Sequence, residues 1–173
     1  QTVVNWTTKV TGGQKGLTYV DHHQNTVDLI EVDRGTQELT ITCEGEVTIG
    51  ESNGIVGRHQ GPAPLWLYER VTPQTRPGAG VRALIRAVGG ETELDQAHGL
   101  MAAVAEAVAY EVGTSDSNST AETVLAEGRG VCQDHAHVFI ACMREMGLPA
   151  RYVSGYLLLV DKIEHDDMHA WAE

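Results

Sequence analysis

The stretch that decides the fold is GRGVCQDHAHVFIACMREMGLPARYVSGYLL, residues 128–158. Apolar residues recur in it at spacings of three and four, which predicts a helix over 132–146. Gly147, with Pro149 just beyond, is a typical helix stop. Alternating residues after the proline predict a strand over 152–160. A glycine-containing turn, a helix and a strand therefore follow one another directly.

Cys132 opens the predicted helix. It belongs to an apolar stripe with Ala136, Phe139, Met143 and Met146, so it lies at the N-terminal tip of the buried face. Free N–H groups and the positive end of the helix dipole surround this position. They favour a thiolate and can also stabilise the oxyanion that forms when a thiolate attacks a carbonyl. The alternative is that Cys132 is a small buried core residue.

The other two cysteines are interpreted as packing residues, Cys142 in the middle of the helix and Cys43 on a predicted strand. An odd number of cysteines without a charged and apolar leader argues against a disulfide framework. This cysteine usage indicates a reducing compartment, and we expect a cytoplasmic protein.

A thiolate nucleophile needs a base, and four histidines are candidates: His135, His137, His165 and His169. The first two share the helix of Cys132 but point about 60° and 140° away from it. His169 lies in an alternating segment that predicts a strand, on the same face as Trp171 and Glu173. A strand holds an imidazole rigidly, which suits a base that must meet a thiol.

Three blocks in this region carry a family resemblance: GVCQD at 130–134, MGLPARYVSGY at 146–156 and HAW at 169–171. In order and spacing they resemble the catalytic core of bacterial transglutaminase-like proteins, which are papain-like cysteine enzymes. The β-rich region around 21–25 also resembles the N-terminal part of that family.

The resemblance implies that Cys132 is the nucleophile and His169 the base. The acceptor carbonyl would belong to a protein or peptide substrate, and the thioester would be resolved by water or by a second amine. The family's third catalytic residue, an aspartate on the strand after HAW, is expected beyond Glu173. The resemblance calls for no cofactor, and no calcium-type loop is present.

Two other functions remain open. Cys132, His135, His137 and His169 supply the atoms that zinc prefers, although the helix directs Cys132 and His137 to different sides. Alternatively, the chain is an interaction module that keeps the fold without activity, since the expected aspartate is absent from it.

The rest of the chain predicts an α+β protein: an N-terminal antiparallel β module, then a papain-like or transglutaminase-like core whose nucleophile helix packs on an antiparallel sheet. Alternation predicts strands in the β module, residues 1–56, with a hairpin turn at 33–35. Glycine and proline predict a connection with a short helix over 57–90. The core is 91–173. Gln1 and Glu173 suggest that flanking residues are missing from both ends.

Two more helices are predicted inside the core. The first carries a stripe of Leu94, Ala97, Met101, Val104 and Val108 and starts at Thr92 with Asp95. The second starts from a capping box of Ser119 and Glu122 and ends at Gly128.

Composition excludes several classes of partner. The 173 residues are 42% hydrophobic and 21% charged, with a net charge of −12. Without a basic stripe, neither nucleic acid nor an anionic membrane surface is expected to bind. The longest apolar run is too short to span a bilayer. Substrate identity and oligomeric state stay open.

Overall fold

A computed structural model describes residues 2–50, 57–114, 116, 118–157 and 168–173. The chain divides into two units, Gln1–Pro64 and Leu65–Glu173. Residues 65–90, which the sequence assigned to a connection, belong to the second unit. The predicted α+β class is confirmed, because antiparallel strand pairs and α-helices are both present.

The first unit contains four strands: β1 (Thr2–Thr11), β2 (Gly13–Val20), β3 (Thr26–Val32) and β4 (Thr40–Thr48). Threonine and valine are frequent in them, as expected for extended backbone. β1 pairs antiparallel with β4, and β2 pairs antiparallel with β3. The inner pair therefore lies, in chain order, between the two strands of the outer pair.

The hairpin predicted at 33–35 is wrong. A turn exists there, with Thr36 N–H donating to Asp33 O at 3.1 Å, but it joins β3 to β4, which belong to different ladders. The hairpin is the one between β2 and β3, where the Asp21 carboxylate accepts bonds from the backbone N–H groups of His23 and Asn25. An aspartate that binds the backbone two residues on is a common turn device.

The second unit begins with a 3-10 helix, Leu65–Glu69, and continues with α1 (Ala79–Ala87) and α2 (Glu93–Ala107). Then come β5 (Ala109–Tyr110), α3 (Ala121–Glu127) and β6 (Arg129–Gly130), and β5 and β6 run parallel. The last elements are α4 (Cys132–Glu145), β7 (Tyr152–Gly155) and β8 (His169–Ala172), and β7 and β8 are antiparallel. Residues 158–160 of the predicted strand lie outside the described residues.

The core of the second unit is formed by its four helices, with Val81, Leu100, Val124 and Val138 at its centre. α1 contributes Val81, which has no exposed surface. α4 contacts the other three helices and both β7 and β8. The helix of Cys132 is therefore the central element of the unit, and its position is set by packing on several sides.

The apolar stripe predicted for α2 is only partly correct. Val104 and Val108 are buried, but Leu94 and Met101 are 65% and 60% exposed, and Leu100 is buried in their place. Apolar residues stand on more than one face of this alanine-rich helix. A spacing of three and four residues therefore fits two adjacent stripes, and only one of them is buried. The predicted start is confirmed, because Thr92 and Asp95 form a capping box.

α3 ends at Gly128 as predicted, in the left-handed conformation that favours glycine. Its capping box consists of Thr120 and Thr123, not of Ser119 and Glu122. Glu122 binds α1 instead, since its carboxylate accepts bonds from the backbone N–H groups of Gly78, Gly80 and Val81 at 2.8–3.0 Å. An acidic group at a helix N-terminus satisfies unpaired donors and complements the dipole.

We expect Glu122→Gln to destabilise the protein at neutral pH. Burial opposes ionisation of Glu122, but its three N–H bonds and Arg82 lower its pKa below the ordinary 4.5. Because the folded-state pKa is lowered, this stabilisation is present above about pH 4.5 and is lost as the pH falls through the lowered pKa. Denaturation with urea should show a loss of about 1–2 kcal/mol at neutral pH.

The difference between Glu122→Gln and the wild type should close in acid, where the wild-type carboxyl is itself neutral. Glu127→Gln is the matched control, because Glu127 is exposed on the same helix. A loss of stability that did not change with pH would contradict the claim that the charge of Glu122 stabilises the N-terminus of α1.

Within the described ranges, no helix combines the length and the apolar character that a membrane-spanning segment requires.

Candidate active site

Cys132 is the first residue of α4 and is half-buried. The residue before it, Val131, has extended backbone, and its carbonyl accepts the N–H groups of Asp134 and His135 at 3.0 and 3.2 Å. The N–H of Cys132 itself precedes the helical hydrogen-bond ladder, as at any helix start. The sulfur thus stands at the positive end of α4, as the sequence predicted.

The Cys132 sulfur reaches the start of β8. Its Sγ lies 4.0 Å from the carbonyl oxygen of Met168, the residue before His169. Three bonds, whose lengths sum to about 4 Å, separate that oxygen from the His169 Cα. The distance from the sulfur to this Cα is therefore at most about 8 Å. An imidazole is long enough to bridge much of that distance. Among the four candidate bases, His165 lies outside the described residues.

His169 is half-buried and is paired with Gly155 on β7. Trp171 shares its face of the strand, and its ring covers Gly155, where an added Cβ would lie 3.1 Å from the Trp171 Cη2. Glu173 binds Arg151 through Nε at 2.9 Å and through Nη2. This carboxylate is therefore engaged at the far end of the strand pair.

Asp134, in the first turn of α4, has no exposed surface. Its Oδ2 accepts the Val131 N–H at 2.7 Å, which fixes the backbone directly before Cys132. Among the described residues its Oδ1 is a buried oxygen with no hydrogen-bond partner. A buried carboxylate next to a candidate nucleophile is a feature that composition and spacing did not reveal.

Gly130 makes room for this carboxylate. A Cβ at position 130 would lie 2.7 Å from the Asp134 Cβ and 2.8 Å from its Oδ2. A glycine at position 130 is therefore explained by one close contact, between the backbone of β6 and the Asp134 side chain.

His135 joins α4 to the end of α2. Its Nδ1 lies 2.9 Å from Val131 O and its Nε2 lies 2.9 Å from Val108 O. Both ring nitrogens thus face backbone carbonyl oxygens. In the described part of the chain, no group of three or more His, Cys, Asp or Glu side chains could hold a metal ion. Cys132, His135, His137 and His169 therefore do not form such a group.

His137 and Tyr152 form an aromatic pair between α4 and β7, with ring centroids 5.1 Å apart. Burial lowers the pKa of His137, Asp134 opposes this and Arg144 adds to it. Burial also raises the pKa of Tyr152, and electrostatic interactions with Cys132 and Asp134 raise it further. Sequence patterns missed this pair, because nothing local relates a helix residue to a strand that follows the turn.

The three cysteines lie in different environments. Cys142 is fully buried, and burial raises its pKa to about 12. Cys43 is exposed on β4, so its assignment to packing is wrong. It stands next to Thr8 on the paired strand, with the two side-chain atoms 3.8 Å apart. Cys132 combines partial access with a helix N-terminus.

Comparison with known proteins decides the family. Residues 82–173, just over half of the chain, match the Transglutaminase-like superfamily. The chain belongs to this superfamily. The match begins in α1 and includes both Cys132 and His169, so the resemblance seen in the sequence is confirmed for the family.

Bacterial relatives of this transglutaminase-like chain occur in mycobacteria. An uncharacterized protein of Mycobacterium leprae is 42% identical over 69 residues, which are 37% of this chain and 25% of that protein. An uncharacterized protein of Mycobacterium tuberculosis is also 42% identical over 69 residues, 36% of this chain and 22% of that protein. The match thus covers about a quarter of each relative's length.

The transglutaminase-like fold is also found in a solved structure, that of a proposed cysteine protease from Cytophaga hutchinsonii. The TM-score is 0.70 at 18% identity, and the match covers 99% of this chain and 61% of that one. At this identity the likeness concerns the fold. It extends over both units, including the β-rich one.

Proposed function

We propose that this chain carries a cysteine acyl-transfer site in which Cys132 is the nucleophile and His169 the base. The observation that carries the proposal is the 4.0 Å contact between the Cys132 sulfur and Met168 O, which puts the thiol beside the residue that bears the imidazole. Membership of the superfamily supports the same two residues. The proposed substrate is an amide or peptide carbonyl of a protein or peptide.

The proposed reaction has two steps. The His169 imidazole takes the proton of the Cys132 thiol, and the thiolate attacks the carbonyl carbon while the π electrons move to the oxygen. When the carbonyl reforms, the C–N bond breaks and the amine leaves with the proton from the imidazolium. Water or a second amine then gives a proton to His169 and attacks the thioester, and the C–S bond breaks to release Cys132. Water gives hydrolysis, and a second amine gives transamidation.

The environment of the thiol supports the first step. A thiolate at a helix N-terminus faces backbone N–H groups and the positive end of the dipole. The same groups stabilise an oxyanion. Asp134 accepts the N–H of Val131, and this bond holds the backbone directly before Cys132 in place.

The proposal predicts that iodoacetamide alkylates Cys132 first. At about pH 6 an ordinary exposed thiol is almost entirely protonated and reacts slowly. We therefore expect Cys132 to react at least about tenfold faster than Cys43. Cys142 should stay unmodified until the protein unfolds, because it is fully buried. Peptide mapping after timed quenching measures all three rates in one sample.

Cys43 is the internal control, since its thiol is exposed on a strand. Equal rates for Cys132 and Cys43 would contradict an activated thiol. Alkylation of Cys142 in the same interval would show that the sample was unfolded.

A further inference from the structure

Asp134 takes no chemical part in the steps above, yet it is the third residue of the helix that Cys132 begins. The same position in α2 is occupied by Asp95, which accepts the N–H of Thr92 at 3.1 Å. Asp95 is exposed, which is the ordinary state of an aspartate, whereas Asp134 has no exposed surface. The two aspartates therefore make the same local bond and differ in burial.

The residue before α4 is not one of the usual polar caps. α2 and α3 are preceded by Thr92 and Thr120, whose hydroxyls accept an N–H of the first helical turn. Val131 precedes α4, and a valine side chain has no atom that could accept such a bond. The Asp134 carboxylate therefore binds the backbone of this turn without a reciprocal side-chain bond from the residue before the helix.

Both backbone polar groups of Val131 are held from α4. Its N–H donates to Asp134 Oδ2 at 2.7 Å, and its carbonyl accepts the N–H groups of Asp134 and His135 at 3.0 and 3.2 Å. The Val131 carbonyl and the Cys132 N–H belong to one planar trans peptide, in which they point in opposite directions. Because that carbonyl points along α4, the Cys132 N–H points away from the helix at its N-terminus.

The burial of Asp134 has a cost that capping alone does not explain. A buried carboxylate loses its hydration, and hydrogen bonds must compensate for this loss. In the part of the chain that the structure describes, Oδ1 is buried without a hydrogen-bond partner, and a glycine is needed at position 130 to make room for the side chain. Departures of this kind from an ordinary helix start are typical of functional sites.

We propose that Asp134 is a positioning residue for acyl transfer: its carboxylate fixes the Val131 backbone and so aims the Cys132 N–H at the carbonyl oxygen under attack. This inference rests on the proposed function. As the S–C bond forms, the π electrons of the carbonyl move to its oxygen, and the N–H donates to that oxygen without losing its proton. The electrons return when the C–N bond breaks, and the amine leaves with the proton held by His169.

The test compares two reactions of the Cys132 thiol. Acylation by 4-nitrophenyl acetate transfers an acetyl group to the sulfur, releases 4-nitrophenolate and passes through an oxyanion, whereas alkylation by iodoacetamide forms no oxyanion. Asp134→Ala releases the backbone before Cys132, and a misplacement of about 1 Å can cost about 10²-fold in rate. We therefore expect acylation to slow by about 10²-fold and alkylation to keep its wild-type rate. Peptide mapping after timed quenching measures both reactions.

Two further variants separate positioning from general stability. Asp134→Asn keeps a side-chain oxygen that can accept the Val131 N–H, so its acylation rate should stay within about threefold of the wild-type rate. Asp95→Ala is the matched control, because it removes the corresponding bond at the start of α2. It should lower the stability to urea and leave both rates of Cys132 unchanged.

Hydrogen exchange of the wild type tests the inference even if Asp134→Ala does not fold. The Val131 N–H precedes the helix, and the Asp134 carboxylate accepts it. We expect NMR to show this amide protected to a degree comparable with amides inside α4. Exchange at the rate of an exposed amide would overturn the inference, because the backbone before Cys132 would then not be fixed.

Each other outcome also overturns the inference in a recognisable way. If Asp134→Ala acylates at the wild-type rate, or if Asp134→Asn is as slow as Asp134→Ala, the bond to Val131 does not position the reaction, and the proposed function stands without it. If acylation and alkylation slow together, Asp134 only supports the fold around the thiol. If Asp95→Ala slows acylation equally, the loss reflects stability in general. If the wild type itself acylates Cys132 no faster than the unfolded chain does, the proposed function fails, and the inference fails with it.

Discussion

Cys132→Ala is expected to lower the rate of acyl transfer from 4-nitrophenyl acetate at least about 10³-fold, to the level of the uncatalysed reaction. The physical reason is that the thioester cannot form without the sulfur at the N-terminus of α4. Stopped-flow release of 4-nitrophenol measures the loss. The free energy of unfolding should change little, because the half-buried thiol is replaced by a small apolar group.

Cys43→Ala is the matched control for this variant, since it also removes one thiol, from an exposed strand position. It should retain the wild-type rate. Retention of the rate in Cys132→Ala, or an equal loss in both variants, would contradict Cys132 as the nucleophile.

Gly130→Ala is expected to destabilise the protein by about 2–4 kcal/mol. The added methyl would overlap Asp134, at 2.7 Å from its Cβ and 2.8 Å from its Oδ2. Overpacking alone costs about 1–3 kcal/mol. Moving the carboxylate also breaks its bond to the Val131 N–H, a charged hydrogen bond worth about 1.5–3 kcal/mol. Urea denaturation measures the loss, and acyl transfer should fall with it because Cys132 follows this turn.

Gly89→Ala is the control, because nothing lies within 4 Å of an added Cβ at that exposed position. It should leave both stability and rate near the wild-type values. A fully stable Gly130→Ala would mean that the Asp134 side chain has another position available. It would contradict the claim that this carboxylate fixes the backbone before Cys132.

Local signals determined the helix ends well. α4 was predicted over 132–146 and runs Cys132–Glu145, because both its first residue and the Gly147 stop are set within a few residues of chain. The start of α2 at Thr92 and the end of α3 at Gly128 rest on equally local hydrogen bonds. Such contacts can be predicted from spacing alone.

Contacts between distant segments could not be predicted in this way. Alternation indicated strands in the first unit but not their partners, and β1 pairs with β4 across two intervening strands. Glu122 fits a capping box by spacing, yet its carboxylate caps α1, more than forty residues earlier in the chain. Asp134 lies in the first turn of α4, and no local pattern indicated that it is fully buried. In each case the observed position depends on a contact with a segment that the local pattern does not include.

The same distinction between local signals and distant contacts applies to the candidate site. The helix position of Cys132 followed from spacing, and its proposed pairing with His169 came from the family resemblance. The contact between His137 and Tyr152 depends on the packing of α4 against β7, and the position of the Asp134 carboxylate depends on its contact with Gly130 of β6. A pattern within one segment carries no information on which strand a helix side chain will meet.

Peptide mapping of the chain quenched during its reaction with 4-nitrophenyl acetate tests the account most directly, in the wild type and in His169→Gln. We expect an acetyl group on Cys132 in the wild type and a much slower appearance of that adduct in the variant, since the thiol loses its base. An acetyl group on other side chains but not on Cys132, or equal rates in the two proteins, would contradict a nucleophile and base formed by Cys132 and His169.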